Sequence, residues 1–150
     1  MPSLDNMMLR QIIMDHYENP RNHELVEDDS YKKVNMDSET CIDNIDIQAK
    51  IEDGVIKDIR FDGEACAICT SSTSIMTELL IGKTIEEARV IIKNYMNMIF
   101  EKDYDPEILE EAIAFYNTHK QANRIKCATL GWKGITQLID ESEKEDTHGK

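Results

Sequence analysis

No stretch of this 150-residue sequence is apolar for long enough to form a transmembrane helix, which needs about 18 consecutive residues. An excess of basic charge is lacking as well: 17 lysines and arginines stand against 30 aspartates and glutamates, and the net charge is −13. That balance argues against binding to nucleic-acid backbones or anionic membranes, which both need a basic face. The first residues contain no basic segment followed by an apolar one. We therefore expect no secretory signal and a cytoplasmic protein.

Cysteine is scarce, with four residues, at positions 41, 66, 69 and 127. In a reducing compartment, cysteines are metal ligands or catalytic groups more often than disulfide partners. A single cysteine is about as often a small buried packing residue. The neighbourhood of each cysteine therefore decides between these interpretations.

The rest of the composition is that of one globular domain, with 41% hydrophobic and 31% charged residues. A chain of this length can bury most of its apolar surface without disulfides or a structural metal. The sequence contains no internal repeat and no low-complexity linker. We predict a single domain over residues 1–150, in which about 141–150 form a charged, frayed tail.

Alternation of apolar and polar residues over 45–51 gives the clearest strand, because a period of two buries one face of a β-strand. Asp53-Gly54 is typical of a hairpin turn, and a returning strand is predicted over 55–61. Residues 31–36 are predicted as a short edge strand. Two antiparallel strands need a third strand or a covering helix for stability.

Helical periodicity occupies the remaining chain. Pro20 ends the first helix, Gly82 stops the second, and Thr84 with Glu87 forms the capping box of the third. The predicted helices cover residues 3–18, 65–80, 85–98, 105–119 and 125–139. The expected class is α+β, with a small antiparallel three-stranded sheet packed with about five helices.

Three cysteines and one carboxylate lie at the boundaries of these elements. Cys41 precedes the first clear strand, and Asp43 points to the same side because positions two apart share a face in extended chain. Cys66 lies near the first turn of a helix, where the amides and the helix dipole favour a thiolate. Cys127 follows two basic residues close to the start of the last helix. Three thiolates and an aspartate would complete a tetrahedral zinc site, although their spacing matches no zinc finger.

Cys66 and Cys69 also form a C-x-x-C motif at a helix N-terminus, as in thioredoxin-like oxidoreductases. Such enzymes need a parallel strand–helix–strand unit, whereas the predicted hairpin before the motif is antiparallel. Three roles are possible for Cys69: a buried packing residue, a spare ligand or a resolving thiol. The four histidines show no ligand spacing with one another and are interpreted as surface or structural residues.

Four motifs resemble the U-type iron–sulfur cluster assembly proteins, the IscU/NifU N-terminal family. The similarity covers roughly residues 5–140. Extra residues at about 90–112, and Lys126 where scaffold-type members have a histidine, resemble the SufU branch. The motifs are Asn19-Pro20-Arg21-Asn22, Cys41-x-Asp43, Phe61-Asp62-Gly63-Glu64-Ala65-Cys66 with its Ser/Thr tail, and Arg124-Ile125-Lys126-Cys127-Ala128.

The resemblance implies an IscU-like fold and a Zn²⁺ site formed by Cys41, Asp43, Cys66 and Cys127. It also implies that Cys41 accepts persulfide sulfur from a PLP-dependent cysteine desulfurase of the SufS type, with Arg124 serving the partnership. Downstream iron–sulfur assembly proteins would then receive the sulfur, and the protein would be a sulfurtransferase-like accessory. The alternative is a scaffold on which a transient [2Fe–2S] cluster is built and passed on.

The sequence departs from the family pattern Pro-x-Cys-Gly-Asp around the first cysteine, because Glu39 and Ile42 replace the proline and the glycine. Losing a glycine restricts the backbone of that loop. Ala65 replaces another usual glycine, and Cys69 is an addition. None of these departures falls on the four candidate ligands.

Overall fold

Three strands come early in the chain and helices form most of the remainder. The computed structural model describes residues 5–39 and 42–148. Within these residues, two 3₁₀ segments lie between the third and the fourth α-helix. The elements are α1 (Asn6–Glu18), β1 (Lys32–Asp37), β2 (Asn44–Glu52), β3 (Val55–Glu64), α2 (Ala67–Leu80), α3 (Ile85–Ile99), the 3₁₀ segments Pro106–Phe115 and Thr118–Lys120, and α4 (Ala122–His148).

The strands form one antiparallel sheet in the order β1-β2-β3. Ile45, Ile47 and Ala49 of β2 are each at most 1% exposed, as the alternation predicts. Gly134 of α4 lies against Ile47, so α4 covers this face of the sheet. The predicted α+β class and three-stranded antiparallel sheet are confirmed.

Helix α2 lies at the centre of the molecule, between α1 and α4. Its serine- and threonine-rich segment, residues 70–74, is buried throughout. A Cβ added to Gly131 of α4 would lie 2.4 Å from the Oγ1 atom of Thr73. The small side chains therefore let the two helices approach closely, which fixes the position of the α4 N-terminus relative to α2.

An aromatic pair links three helices in the core. Trp132 of α4 stacks on Tyr95 of α3 with ring centroids 3.8 Å apart, and its Nε1–H donates to the Oγ atom of Ser72 at 3.0 Å. The Tyr95 hydroxyl donates to the Ala128 carbonyl at 2.7 Å, and burial raises the pKa of Tyr95. The hydroxyl therefore remains a donor, and it holds the backbone beside Cys127.

Both predicted boundaries of α3 are close to those observed, and its capping box is present.

The prediction of a helix over 105–119 is wrong, because this stretch forms 3₁₀ segments interrupted at Glu110, where φ is 46° and ψ is −123°. Leu109 and Phe115 are buried on either side of the interruption. Tertiary packing therefore satisfies the apolar pattern without a continuous α-helix.

The prediction that the last helix ends near residue 139 and that a frayed tail follows is also wrong for the described part, because α4 continues to His148. Arg89 of α3 forms ion pairs with Asp140 and Glu143, and Lys32 of β1 pairs with Glu145. These cations offset the repulsion within an acidic run, so the helix persists. Among the helices of the described residues, none has the length and apolar character needed to cross a membrane.

Gly63 allows β3 to pass very close to β2. Its φ is +134°, and an added Cβ would lie 2.3 Å from the Asn44 carbonyl oxygen and 2.8 Å from the Cα of Ile45. Since these are backbone atoms of a paired strand, they cannot move aside cheaply. Gly63→Ala is expected to lower the free energy of unfolding by about 2–4 kcal/mol, measured by urea denaturation.

Gly54 provides the control for this prediction. It also has a positive φ, +73°, but no heavy atom lies within 4 Å of an added Cβ. Gly54→Ala should therefore cost only about 1 kcal/mol. Equal losses in the two variants would show that backbone conformation, and not the close approach of β2, governs Gly63.

Candidate metal centre

Cys66 is the N-cap residue of α2. Its Sγ atom accepts the N–H of Cys69 at 3.4 Å, and its side chain is half-buried. The unpaired amides and the positive end of the helix dipole stabilise negative charge at this position. The helix start therefore presents a sulfur suited to metal binding, as the sequence predicts.

Asp43 lies immediately before β2, and its side chain is 0% exposed. Its Oδ1 atom accepts the backbone N–H of Cys66 at 2.7 Å, and its Oδ2 atom lies 3.7 Å from the Cys66 Sγ. Neither of these partners, a backbone amide and a cysteine sulfur, is a cation. A buried ionised carboxylate needs a cation to offset the loss of hydration, so this environment favours a metal ion beside Asp43.

The pairing of β2 with β3 explains why these two residues meet. Asn44 is opposite Glu64 at the end of the sheet, so the residue before β2 lies next to the residue that opens α2. The N–H of Ser38 also donates to the Asp43 carbonyl at 2.9 Å. The backbone that carries the carboxylate is therefore anchored to the sheet and to Ser38.

Cys127 completes the group from the first turns of α4, where it is 4% exposed. One ligand atom from each of Asp43, Cys66 and Cys127 lies within 4.8 Å of the others. Ligands around a tetrahedral Zn²⁺ with bonds of about 2.0–2.3 Å are roughly 3.3–3.8 Å apart, so a small contraction suffices. The structure thus brings together three of the four predicted ligands.

The predicted fourth ligand, Cys41, lies outside the described residues. Its neighbour Ile42 is described and is 68% exposed, whereas Asp43 is fully buried. The donor set of two sulfurs and one carboxylate oxygen fits Zn²⁺, which accepts both ligand types. A fourth coordination position would be left for a further thiolate or for solvent.

Comparison with known proteins places this geometry in a family. Residues 8–146 match the NifU-like N terminal domain. The chain belongs to this family. Its relatives include the zinc-dependent sulfurtransferase SufU of Bacillus subtilis, to which it is 39% identical over 137 residues, covering 91% of this chain and 92% of the relative.

The NifU-like chain is also 32% identical to the iron–sulfur cluster assembly scaffold protein IscU of Streptococcus pyogenes over 138 residues, with 91% of this chain and 86% of the relative covered. A crystal structure of a putative SUF-system scaffold protein from Fervidobacterium islandicum superposes with a TM-score of 0.80 at 30% identity. That match covers 91% of this chain and 99% of the other. The IscU-like fold is confirmed, and the chain is a member of an iron–sulfur cluster assembly scaffold family.

Arg124 of this NifU-like domain is not part of the ligand group. It is exposed on the first turn of α4 and lines a cleft of about 400 Å³ together with Arg10 and Ile68. Ile68 is only two residues from Cys66, so the cleft lies beside the end of α2 that carries Cys66. A basic cleft next to the site contrasts with the net charge of −13.

Cys69 is 0% exposed and belongs to the hydrophobic core. That position agrees with the interpretation of Cys69 as a packing residue. The C-x-x-C oxidoreductase interpretation requires a parallel strand–helix–strand unit, whereas every pairing in the described sheet is antiparallel. The structure therefore gives the thioredoxin-like hypothesis no support.

One group of chemically active side chains was not found from the sequence. His16 is 0% exposed and lies within 4.8 Å of carboxylate oxygens of Glu78 and Glu111. A partial signal existed, because His16 follows Ile12 and Ile13 at helical spacing and so lies on the buried face of α1. Its two acidic partners are distant in sequence and could not be identified in that way.

Proposed function

We propose that this NifU-like domain is a zinc-dependent sulfur acceptor that works with a PLP-dependent cysteine desulfurase. The observation that carries the proposal is the convergence of Asp43, Cys66 and Cys127 at one end of α2. The similarity to a zinc-dependent sulfurtransferase supports it further. Both point to sulfur chemistry at a thiolate site.

In this proposal Asp43, Cys66, Cys127 and Cys41 hold the zinc ion. Zinc, when bound, keeps its cysteine ligands deprotonated at neutral pH. The chain itself orients the site: the amide of Cys66 fixes one oxygen of Asp43, and the first turns of α2 and α4 present the two sulfurs. Such support outside the ligand shell typically changes metal affinity about 10–100-fold.

Sulfur transfer follows from thiolate chemistry at Cys41. The Cys41 thiolate attacks the outer sulfur of a persulfide on the desulfurase. A new S–S bond forms on Cys41 while the S–S bond of the donor breaks, and the donor cysteine leaves as a thiolate. The exchange involves no net oxidation and leaves Cys41 as a persulfide for a downstream iron–sulfur assembly protein.

The cleft beside the site is the proposed contact for the desulfurase. Arg124 and Arg10 present two guanidinium groups there, and guanidinium groups bind carboxylates through paired hydrogen bonds. The exposed side chain of Ile42, the residue that follows Cys41 in the sequence, adds an apolar contact. Arg124 therefore serves partner binding and not the chemical step.

The proposal is tested with protein purified without added metal and assayed with a SufS-type desulfurase. We expect about one zinc per chain by elemental analysis, and an increase in alanine production by the desulfurase. Cys41→Ala should reduce that rate to the level of the desulfurase alone, because the acceptor thiolate is lost. Cys69→Ala is the control substitution: it removes a different cysteine, which is buried, and should retain the stimulation.

Protein without zinc that leaves the desulfurase rate unchanged would overturn the proposal. The scaffold alternative has its own support in the similarity to IscU. It predicts that anaerobic reconstitution yields a [2Fe–2S] cluster that is passed to an apo-ferredoxin. Cluster transfer that persists without any stimulation of the desulfurase would favour the scaffold.

A further inference from the structure

A second group of metal-ligating side chains lies towards the other end of α2. His16 of α1, Glu78 of α2 and Glu111 of the 3₁₀ segment each offer a ligand atom within 4.8 Å of the others. Glu78 is about 18 Å along the helix axis from Cys66, since each helical residue rises about 1.5 Å. The group is therefore separate from the thiolate site.

The spacing of these atoms is close to that around a bound ion. The Nε2 atom of His16 lies 3.2 Å from an oxygen of Glu111 and 3.7 Å from an oxygen of Glu78. Adjacent ligands of an octahedral ion with bonds of about 2.1 Å are about 3.0 Å apart. Only small side-chain movements would bring all three atoms into coordination distance.

The imidazole of His16 is held as metal-binding imidazoles usually are. Its Nδ1 atom lies 2.8 Å from the Oγ atom of Ser74, which also accepts the backbone N–H of Arg21 at 2.8 Å. In the tautomer with the proton on Nδ1, the hydroxyl oxygen accepts both N–H groups, and the lone pair of Nε2 faces the two carboxylates. One ring nitrogen fixed by a polar partner and the other aimed at oxygen ligands is the usual arrangement at a metal.

The local charge favours a cation. Arg21 forms its close ion pair with Asp15, at 2.7 Å, and approaches Glu78 only to 3.7 Å. The carboxylates of Glu78 and Glu111 both lie next to the imidazole of His16, which is 0% exposed. The charge of a cation bound between the imidazole and these carboxylates would be offset by them.

Solvent reaches the group from one side. The side chains of Glu78 and Glu111 are 46% and 50% exposed. They line, with Glu110, an open cleft of about 220 Å³, which has room for several water molecules. An ion bound here could keep water as its remaining ligands and could enter without unfolding of the chain.

We propose that His16, Glu78 and Glu111 bind a divalent first-row cation of the Mn²⁺ or Fe²⁺ class. One imidazole nitrogen and two carboxylate oxygens suit such ions, whereas the thiolate site at the opposite end of α2 suits zinc. The site would join α1, α2 and the 3₁₀ segment. It is independent of the proposed sulfur transfer.

The test uses the full chain preloaded with one equivalent of Zn²⁺, so that the thiolate site is filled, and then titrated with Mn²⁺. Loss of the free Mn²⁺ signal in electron paramagnetic resonance should show one ion bound per chain. Pulsed measurements of the bound ion should show coupling to an imidazole nitrogen. Glu111→Gln should weaken binding at least tenfold, because it removes a charged ligand.

Glu107→Gln is the matched control, since Glu107 is an exposed carboxylate of the same 3₁₀ segment and its loss changes the net charge equally. It should bind Mn²⁺ like the unaltered chain. Equal weakening in both variants, absence of nitrogen coupling, or no bound Mn²⁺ after zinc loading would each overturn the site. Glu78→Gln tests the same point if Glu111→Gln alters the circular dichroism spectrum. Stimulation of the desulfurase is measured separately and does not depend on this outcome.

Discussion

Replacement of Cys127 by serine is expected to lower zinc affinity by about two to three orders of magnitude. Structural zinc sites contribute roughly 10–16 kcal/mol over four ligands, so one thiolate accounts for about 2.5–4 kcal/mol. A serine hydroxyl stays protonated at neutral pH and is a poor substitute. Competition with a chromogenic chelator measures the affinity directly.

The fold should survive this substitution. Cys127 lies on α4 with its sulfur 3.9 Å from the Asn123 carbonyl, and a serine there can donate to the same oxygen. Cys69→Ala is the control, because Cys69 is a buried cysteine one helical turn from Cys66. If both variants bound zinc as tightly as the unaltered chain, Cys127 would not be a ligand and the proposed metal centre would be wrong.

Trp132→Ala is expected to give the largest loss of stability, about 3–5 kcal/mol. The indole is 0% exposed and stacks on Tyr95 with centroids 3.8 Å apart, so its removal leaves a cavity between α3 and α4. This loss is a large part of the roughly 5–15 kcal/mol that stabilises a typical domain. Urea unfolding followed by circular dichroism is suitable, since the variant lacks the only tryptophan.

Trp132→Phe separates packing from hydrogen bonding. It keeps a stacked ring but loses the N–H that donates to Ser72, whose hydroxyl still has the Ala128 carbonyl at 2.7 Å. We expect a loss of only about 1–2 kcal/mol. A loss as large as that of Trp132→Ala would mean that the hydrogen bond, and not the packing, dominates at this position.

Local patterns in the sequence predicted most of the regular structure. Alternation over 45–51 indicated β2, and the capping box of Thr84 and Glu87 marked the start of α3. These features succeed because they describe interactions between residues close in sequence. The prediction of a continuous helix over 105–119 was wrong because the break at Glu110 depends on packing against other elements. The predicted end of α4 was wrong because Arg89 stabilises its acidic end from another helix.

For the candidate metal centre, too, the sequence supplied one part of the prediction and the structure supplied the other. The family resemblance implied that Cys41, Asp43, Cys66 and Cys127 are the ligands. Their spacing in the sequence does not show that they meet. The register that places Asn44 opposite Glu64 brings Asp43 to Cys66. The close packing of α4 on α2 then brings Cys127 to both.

The sequence by itself therefore determined the α+β class, most elements and the types of residue available for sulfur and metal chemistry. Only the tertiary structure decided which of them converge. His16 and Glu111 are 95 residues apart and meet because the 3₁₀ segment packs on α1 and α2. Periodicity reports the face of an element that is buried, but the partner of that face depends on how all the elements pack together.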